Sequence, residues 1–179
     1  MPKLSQTEID AFLAERNHLA RIATVRADGT PTVVPVWFIY EHGHVLITPR
    51  KHSAFLTNIR CQPRVAITID EDTGLYRKVL VEGTANILHE VGEDRKWNDV
   101  YRRIACRYVD EAAADFYLSE THDQPRALIG VNYAAASITT LSGIHQWLFT
   151  EHGAYAWFLH NDAYHPATSP LVETYGGVK

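Results

Sequence analysis

The turn from Thr48 to Ser53 carries the side chains best suited to bind an anion. It stands where an extended run, Val45 to Thr48, passes into a short predicted helix that begins near Ser53. The first N–H groups of a helix have no intrahelical partner and lie at the positive end of its dipole, so this position attracts phosphate. Arg50 and Lys51 would add charge-assisted hydrogen bonds. We therefore predict a phosphate cradle of Thr48, Arg50, Lys51 and Ser53; the alternative is a solvated turn in which Ser53 only caps the helix.

The second candidate is the segment Val34-Pro35-Val36-Trp37, which lies in a long β-branched and aromatic run from Thr32 to Tyr40. Proline cannot donate a hydrogen bond to a strand ladder, so this strand should lie at a sheet edge or be bulged at Pro35. Backbone groups that no ladder uses are available to a flat aromatic cofactor with apolar walls around it. The alternative is an ordinary barrel strand with Trp37 in the core.

Arg77 and Lys78 form the third candidate, ahead of the apolar run Val79 to Val81. Adjacent strand residues point to opposite faces of a sheet, so only one of the two can face a given pocket.

Metal chemistry is not predicted, although the chain has 10 histidines. Neither HExxH nor a Cys/His spacing of the zinc type occurs, and turn histidines such as His42 and His44 are ordinary surface residues. The sequence also lacks GxSxG, P-loop and GxGxxG patterns, so hydrolase, NTPase and Rossmann interpretations have no support.

The composition is that of an ordinary globular chain. Its 179 residues fit one domain, and the hydrophobic and charged fractions of 46% and 21% are near average. A net charge of −4 argues against a general nucleic-acid binder. Cys61 and Cys106 show no CxxC spacing and are expected to be free thiols in a reducing compartment. Since no signal-peptide pattern or membrane-length apolar run is evident, we expect a cytoplasmic protein with no membrane partner.

The hydrophobic pattern predicts a barrel with flanking helices. A capping box, Ser5 to Glu8, begins a first helix that ends near Asn17. Further helices are expected over 53–60, 93–109 and 110–118. The helix over 93–109 has one apolar face, formed by Trp97, Val100, Tyr101, Ile104 and Tyr108. Six strands are expected, at 19–25, 32–40, 45–48, 64–69, 77–88 and 126–141, and a last hairpin at 147–159. Short turns between strands favour a small closed or half-closed barrel.

The motifs, taken in order, resemble the flavin-binding split barrel of the pyridoxamine 5'-phosphate oxidase-like family, within the flavin and deazaflavin oxidoreductase superfamily. The resemblance covers about Ile9 to Thr140 and rests on the Pro-Val-Trp-Phe strand, Asn58-Ile59-Arg60, Val-Glu-Gly-Thr-Ala and the Arg107-Tyr108 helix. It implies a mainly β (α+β) fold, a six-stranded antiparallel split β-barrel with flanking helices. The whole chain, 1–179, would be one such domain, with 142–179 an extension of uncertain role.

In proteins that this chain resembles, two subunits pack together and the cofactor lies in the groove between them. The resemblance implies that Thr48, Arg50, Lys51 and Ser53 bind the phosphate of FMN, and that Val34, Pro35, Val36 and Trp37 run beside its isoalloxazine ring. Arg77 or Lys78 would contact ring or ribityl oxygens. The implied activity is hydride transfer between the flavin and a small organic substrate, in a homodimer.

The chain departs from the family pattern at Phe55, where many members have a phosphate-binding lysine, and at Leu141, near which many have tryptophan. Arg50 and Lys51 could compensate for the missing lysine. The same groove could instead bind a deazaflavin cofactor. A third alternative is a non-catalytic flavin- or haem-binding protein, with His160 or His165 as an axial ligand.

Overall fold

The computed structural model describes residues 4–71, 77–133 and the backbone of 137–141. The helices of this part of the chain are α1 Gln6–Ala14, α2 Ala54–Cys61, α3 Asn98–Cys106 and α4 Glu111–Glu120, with a 3₁₀ turn at Asp94–Lys96. The strands are β1 Ala20–Val25, β2 Pro31–Val36, β3 Ile39–Glu41, β4 His44–Ile47, β5 Arg64–Asp70, β6 Lys78–His89, β7 Leu128–Asn132 and β8 Ser137–Leu141.

The strands form an antiparallel sheet in the order β2-β1-β5-β6-β7-β4-β3, with β8 also paired to β6. Strands β2 and β3 stand at the two ends of this order but are consecutive in the chain, joined by Trp37 and Phe38. The sheet therefore curls until its ends meet. The long strand β6 pairs with β5 and β8 through its first half and with β7 through its second half, from Ala85 to His89. This is the predicted split barrel with flanking helices.

The described residues form eight strands where six were expected, because two expected strands are each divided. The run 32–40 breaks at Trp37 and Phe38, where the Phe38 N–H donates to the Tyr108 hydroxyl (3.1 Å) instead of to a strand. The run 126–141 is divided into β7 and β8, which pair with successive parts of β6. Pro35 lies in β2, at an end of the strand order, as its missing N–H predicted.

Alternating side chains of the strands fill the barrel interior. On β5, Val65, Ile67 and Ile69 are buried, and the residues between them are more exposed. Phe12 and Leu13 of α1 complete this core and are fully buried. Each such side chain contributes about 1.5–3 kcal/mol relative to an exposed one. The capping box that was predicted for α1 is present, with Ser5 and Glu8 bonding reciprocally.

Helices α3 and α4 pack on the outside of the sheet over a second apolar cluster. Its members include the predicted apolar face of α3, which is confirmed: Trp97, Val100, Tyr101, Ile104 and Tyr108. The Tyr108 hydroxyl accepts from Phe38 N–H and donates to the His18 carbonyl (2.7 Å), so Tyr108, just beyond the end of α3, fixes the junction between β2 and β3.

The described residues belong to one compact unit of the chain, which reaches Gly143. The predicted extension 142–179 and its hairpin lie outside the described residues, so the one-domain prediction for 1–179 stays a prediction. No helix within the described ranges is long and apolar enough to cross a membrane.

Candidate functional site

A cleft of about 430 Å³ opens beside the junction of β2 and β3. Its size is within the range of roughly 300–1,000 Å³ that small-molecule sites occupy. The lining residues come from the ends of β2 and β4, the β4–α2 turn, the start of α2, the two outer helices and the segment before β7: Val36, Trp37, Ile47, Thr48, Pro49, Arg50, His52, Ser53, Phe55, Tyr101, Tyr117 and Arg126.

The predicted phosphate turn forms the polar wall of this cleft. The Lys51 N–H donates to the Pro125 carbonyl (2.9 Å), and Arg50 forms a bridge with Arg126, so the turn is pinned to the segment before β7. Both the N–H and the hydroxyl of Ser53 donate to the Arg50 carbonyl, at 2.9 and 2.8 Å. The Ser53 side chain therefore does not cap α2, contrary to the alternative interpretation. The first N–H groups of α2 stay available to a ligand.

The charged side chains of the cleft are cationic. Arg50 is exposed at the turn, whereas Arg126 is only 6% exposed. One Arg126 amino group donates to the Thr48 carbonyl (3.0 Å) and the other to the Tyr117 hydroxyl (3.2 Å). Among the described lining residues there is no aspartate or glutamate. The site therefore favours an anionic ligand, although the chain as a whole is acidic.

The Tyr117 hydroxyl also accepts a long hydrogen bond from Arg50, at 3.4 Å. Burial raises the pKa of the Tyr117 phenol, but hydrogen bonding with Tyr101 and Arg50 and the positive charges of Arg126 and Arg50 outweigh it. The pKa of Tyr117 is lowered as a result. Burial raises the pKa of Tyr101 to about 12, so Tyr101 stays protonated at neutral pH. At Tyr117 the two cations outweigh the effect of burial on the pKa, whereas at Tyr101 burial outweighs the charge of Arg126.

Trp37 forms the aromatic wall. Its ring stacks on Tyr108 with a centroid distance of 4.8 Å and an interplanar angle of 4°, and it meets Tyr117 edge-on at 5.5 Å. The sheet ladders end at Val36 and resume at Ile39, so the Trp37 backbone is outside them. Tertiary packing therefore holds a flat ring and free backbone groups at the same edge of the cleft.

Of the ten residues predicted to bind a cofactor, the structure brings five together in the cleft: Val36, Trp37, Thr48, Arg50 and Ser53. Val34 packs against the barrel core, while Pro35 and Lys51 are exposed and do not line the cleft. Lys78 lies at the start of β6, opposite Asp70. The role of these outlying residues in cofactor binding stays a prediction.

Arg77, whose contact with a cofactor stays a prediction, is held in an ion-pair network. Its guanidinium bonds both carboxylate oxygens of Glu15 (2.7 and 2.8 Å) and of Glu71 (3.0 and 2.7 Å). Glu15, Glu71 and His18 bring possible metal ligands within 4.8 Å of one another, but the guanidinium already engages both carboxylates. Arg77 thereby ties α1 to the start of β6.

Tyr101, Tyr117 and Arg126 are cleft residues that the sequence did not reveal. They are more than 50 positions from Arg50 along the chain. The pairing of β4 with β7 brings Arg126 to the turn, and the packing of α3 and α4 brings Tyr101 and Tyr117 there. The residues before Tyr117 predict only a helix, and no spacing pattern indicates that Tyr117 belongs to a binding site. Phe55, which stands where many family members have lysine, does line the cleft.

Comparison with known proteins agrees with this architecture. The family model described as pyridoxamine 5'-phosphate oxidase matches residues 5–139. The chain belongs to the pyridoxamine 5'-phosphate oxidase family. No curated protein matches the chain.

Solved structures with the same fold include proteins of several kinds. A conserved hypothetical protein from Mycobacterium tuberculosis is 25% identical, with a TM-score of 0.59 over 84% of this chain and 91% of that one. A FAD-binding protein from Mesorhizobium loti is 20% identical, with a TM-score of 0.58 and coverage of 80% and 98%. An F420 reductase is 23% identical, with a TM-score of 0.54 and coverage of 78% and 98%. These likenesses support the fold of the chain.

Proposed function

We propose that the protein is a flavin-dependent oxidoreductase that binds FMN in this cleft and acts as a homodimer on a small organic substrate. The observation that carries the proposal is the cleft itself, in which the predicted phosphate turn and the aromatic wall of Trp37 meet in a chain of this family.

The polar wall fits a phosphate group. The Ser53 hydroxyl donates to the Arg50 carbonyl and so shapes the turn. The cleft offers the guanidinium of Arg50, the hydroxyl group of Thr48 and the first N–H groups of α2. Each is a hydrogen-bond donor and the guanidinium is permanently charged, which matches the needs of a phosphate dianion. Phe55 replaces a cation of many relatives with an apolar surface, and the second arginine of the cleft, Arg126, restores the positive charge.

The opposite wall fits a flat ring. Trp37 and Val36 supply apolar surface, and the backbone of Trp37 is free of the sheet ladders. FMN, when bound, would supply hydride transfer, a reaction that protein side chains do not perform. The residues of the chain would orient the ring, hold the phosphate and exclude water on one side.

The outer face of β2 supports the proposed dimer. Pro31, Val33 and Pro35 point away from the core, and Val33 is 62% exposed. An apolar stripe on an edge strand is a usual site of pairing with another chain. Because the cleft begins at Val36, the next residue of this strand, a second subunit on β2 would border the cleft.

The decisive experiment is an absorbance spectrum of the purified protein, followed by mass spectrometry of any released ligand and by titration with FMN. Flavin bands and FMN binding are expected. Absorption at shorter wavelength would identify the deazaflavin alternative and a Soret band would identify haem; either result would replace FMN.

The variant Arg50→Ala with Lys51→Ala should weaken FMN binding at least tenfold, about 1.4 kcal/mol. We expect this loss to come from Arg50, since Lys51 does not line the cleft, and Lys51→Ala alone is the matched control. Unchanged affinity in the double variant would show that the phosphate binds elsewhere. Light scattering tests the dimer, since a 20.2 kDa species at every concentration would contradict it.

A further inference from the structure

We propose that the inner wall of the cleft, formed by Arg126 and Tyr117, is a second oxyanion-binding site beside the turn from Thr48 to Ser53. Its ligand is a phosphate or carboxylate group, carried by the cofactor or by the second substrate. The inference deepens the proposed function, because it concerns the same cleft and the chemistry of what enters it.

The first observation is the environment of Arg126. Its side chain is 6% exposed and lines the cleft, with the guanidinium carbon 4.5 Å from the centre of the Tyr101 ring. Two neutral oxygens, the Thr48 carbonyl and the Tyr117 hydroxyl, accept from its amino groups. The Nε atom is buried and has no acceptor in the part of the chain that the structure describes.

The charge of Arg126 is not neutralised by any ion pair among the described residues. The Asp94 carboxylate accepts from the backbone N–H of Arg126 (2.8 Å), not from its guanidinium. A buried cation without a counter-charge is destabilising, whereas an anion in the cleft would offset that cost. The guanidinium is thus prepared for a ligand.

Arg107, the other strongly buried arginine of the described residues, has a structural role and so provides a comparison for Arg126. It is 9% exposed and also lacks an acceptor for Nε. However, its amino groups donate to the carbonyls of Leu13, Ala14 and Glu15, at 2.9, 3.1 and 2.6 Å. These carbonyls are at the C-terminus of α1, where the helix dipole supplies partial negative charge. Arg126 has no such compensation, and it faces the cleft where Arg107 does not.

Tyr117 completes the site because its hydroxyl oxygen accepts from both arginines. A phenol oxygen accepts two hydrogen bonds and donates one, and the Tyr117 oxygen already accepts from Arg126 and Arg50. Its O–H is therefore directed away from both guanidinium groups. The neighbouring Tyr101 hydroxyl donates to the Thr121 hydroxyl. Because Thr121 gives its own proton to the Tyr117 carbonyl, the Thr121 oxygen can only accept from Tyr101. The guanidinium groups of Arg126 and Arg50 present donors alone, which selects an oxyanion.

The test compares Arg126→Gln and Tyr117→Phe with the control Arg26→Gln, an exposed arginine of the β1–β2 turn. Isothermal titration calorimetry measures the affinity of the unloaded protein for FMN and for riboflavin, which has the same ring without phosphate. It also measures the affinity of the FMN-loaded protein for benzoate and for inorganic phosphate. If the anion is the cofactor phosphate, Arg126→Gln weakens the binding of FMN at least tenfold and the binding of riboflavin less than twofold. If it belongs to the substrate, FMN affinity is unchanged, and the loaded wild type binds benzoate or phosphate while Arg126→Gln does not.

Tyr117→Phe keeps the experiment decisive if Arg126→Gln fails to fold, because the ring that packs against Trp37 is retained and only the hydroxyl is removed. Tyr117→Phe should weaken the binding of the same ligand three- to tenfold. A protein that binds no flavin would contradict the proposed function, yet inorganic phosphate binding to the unloaded chain that is lost in these variants would still support the oxyanion site. Wild-type affinities for FMN, phosphate and benzoate in both variants would overturn it.

Discussion

Replacing Arg77 with glutamine separates the structural role that the fold gives this residue from the cofactor contact that its sequence position suggested. The wild-type guanidinium makes bidentate contacts with two carboxylates, and the exposed fractions are 23% for Arg77, 10% for Glu71 and 40% for Glu15. The exposed Glu15 pair is worth about 0.2–1 kcal/mol. The Glu71 carboxylate would be left buried without its charged donor, which costs about 1–3 kcal/mol. We expect the free energy of unfolding to fall by roughly 2–3 kcal/mol.

The effect should depend on pH with a defined sign. Hydrogen bonds from Arg77 hold the pKa of Glu15 and of Glu71 below the usual range. A carboxyl whose pKa is lower in the folded state adds stability above its unfolded pKa of about 4.3, and that stability is lost as pH falls through the folded pKa. The difference between wild type and Arg77→Gln should therefore be full at neutral pH and shrink below about pH 4.

The assay is urea denaturation followed by tryptophan fluorescence, with FMN titration of the same preparations. Arg64→Gln, an exposed arginine at the start of β5, is the matched control and should change neither quantity. FMN affinity should change less than twofold in folded Arg77→Gln. A tenfold loss of FMN affinity with wild-type stability would refute this reasoning and place Arg77 at the cofactor.

Three further substitutions test the packing that positions the cleft, each by urea denaturation. Asn58→Ala should cost about 1–3 kcal/mol, since the buried Asn58 amide donates to the hydroxyls of Thr24 (3.0 Å) and Thr32 (3.2 Å); a neutral result would mean that this network contributes nothing. Ser5→Ala should cost about 0.5–2 kcal/mol by removing the capping box of α1, while Ser119→Ala, near the exposed end of α4, serves as its control. Gly130→Ala should cost less than about 1 kcal/mol, because the added Cβ would meet the Leu88 Cδ1 atom at 2.8 Å but Leu88 is 44% exposed and can move aside. A much larger loss would show that Leu88 is fixed.

The sequence by itself determined the elements of the barrel and one half of the cleft. Alternation in β5 and β6, the capping box of α1 and the apolar face of α3 depend on local spacing, so they could be predicted residue by residue. The phosphate turn is local too, since Thr48, Arg50 and Ser53 lie within six consecutive positions and enter the cleft together. Pro35 marked its edge strand because a missing N–H has the same consequence in any fold.

Only the tertiary structure decided which distant residues face that turn. The pairing of β4 with β7 brings Arg126 against Arg50, and the packing of α4 brings the Tyr117 hydroxyl to both arginines. Packing likewise assigned Arg77 to Glu15 and Glu71, since a guanidinium beside two carboxylates is held there by charge whatever its place in a motif. Spacing along the chain cannot report these contacts, because they depend on strand register and helix docking, which bring together residues far apart in the sequence.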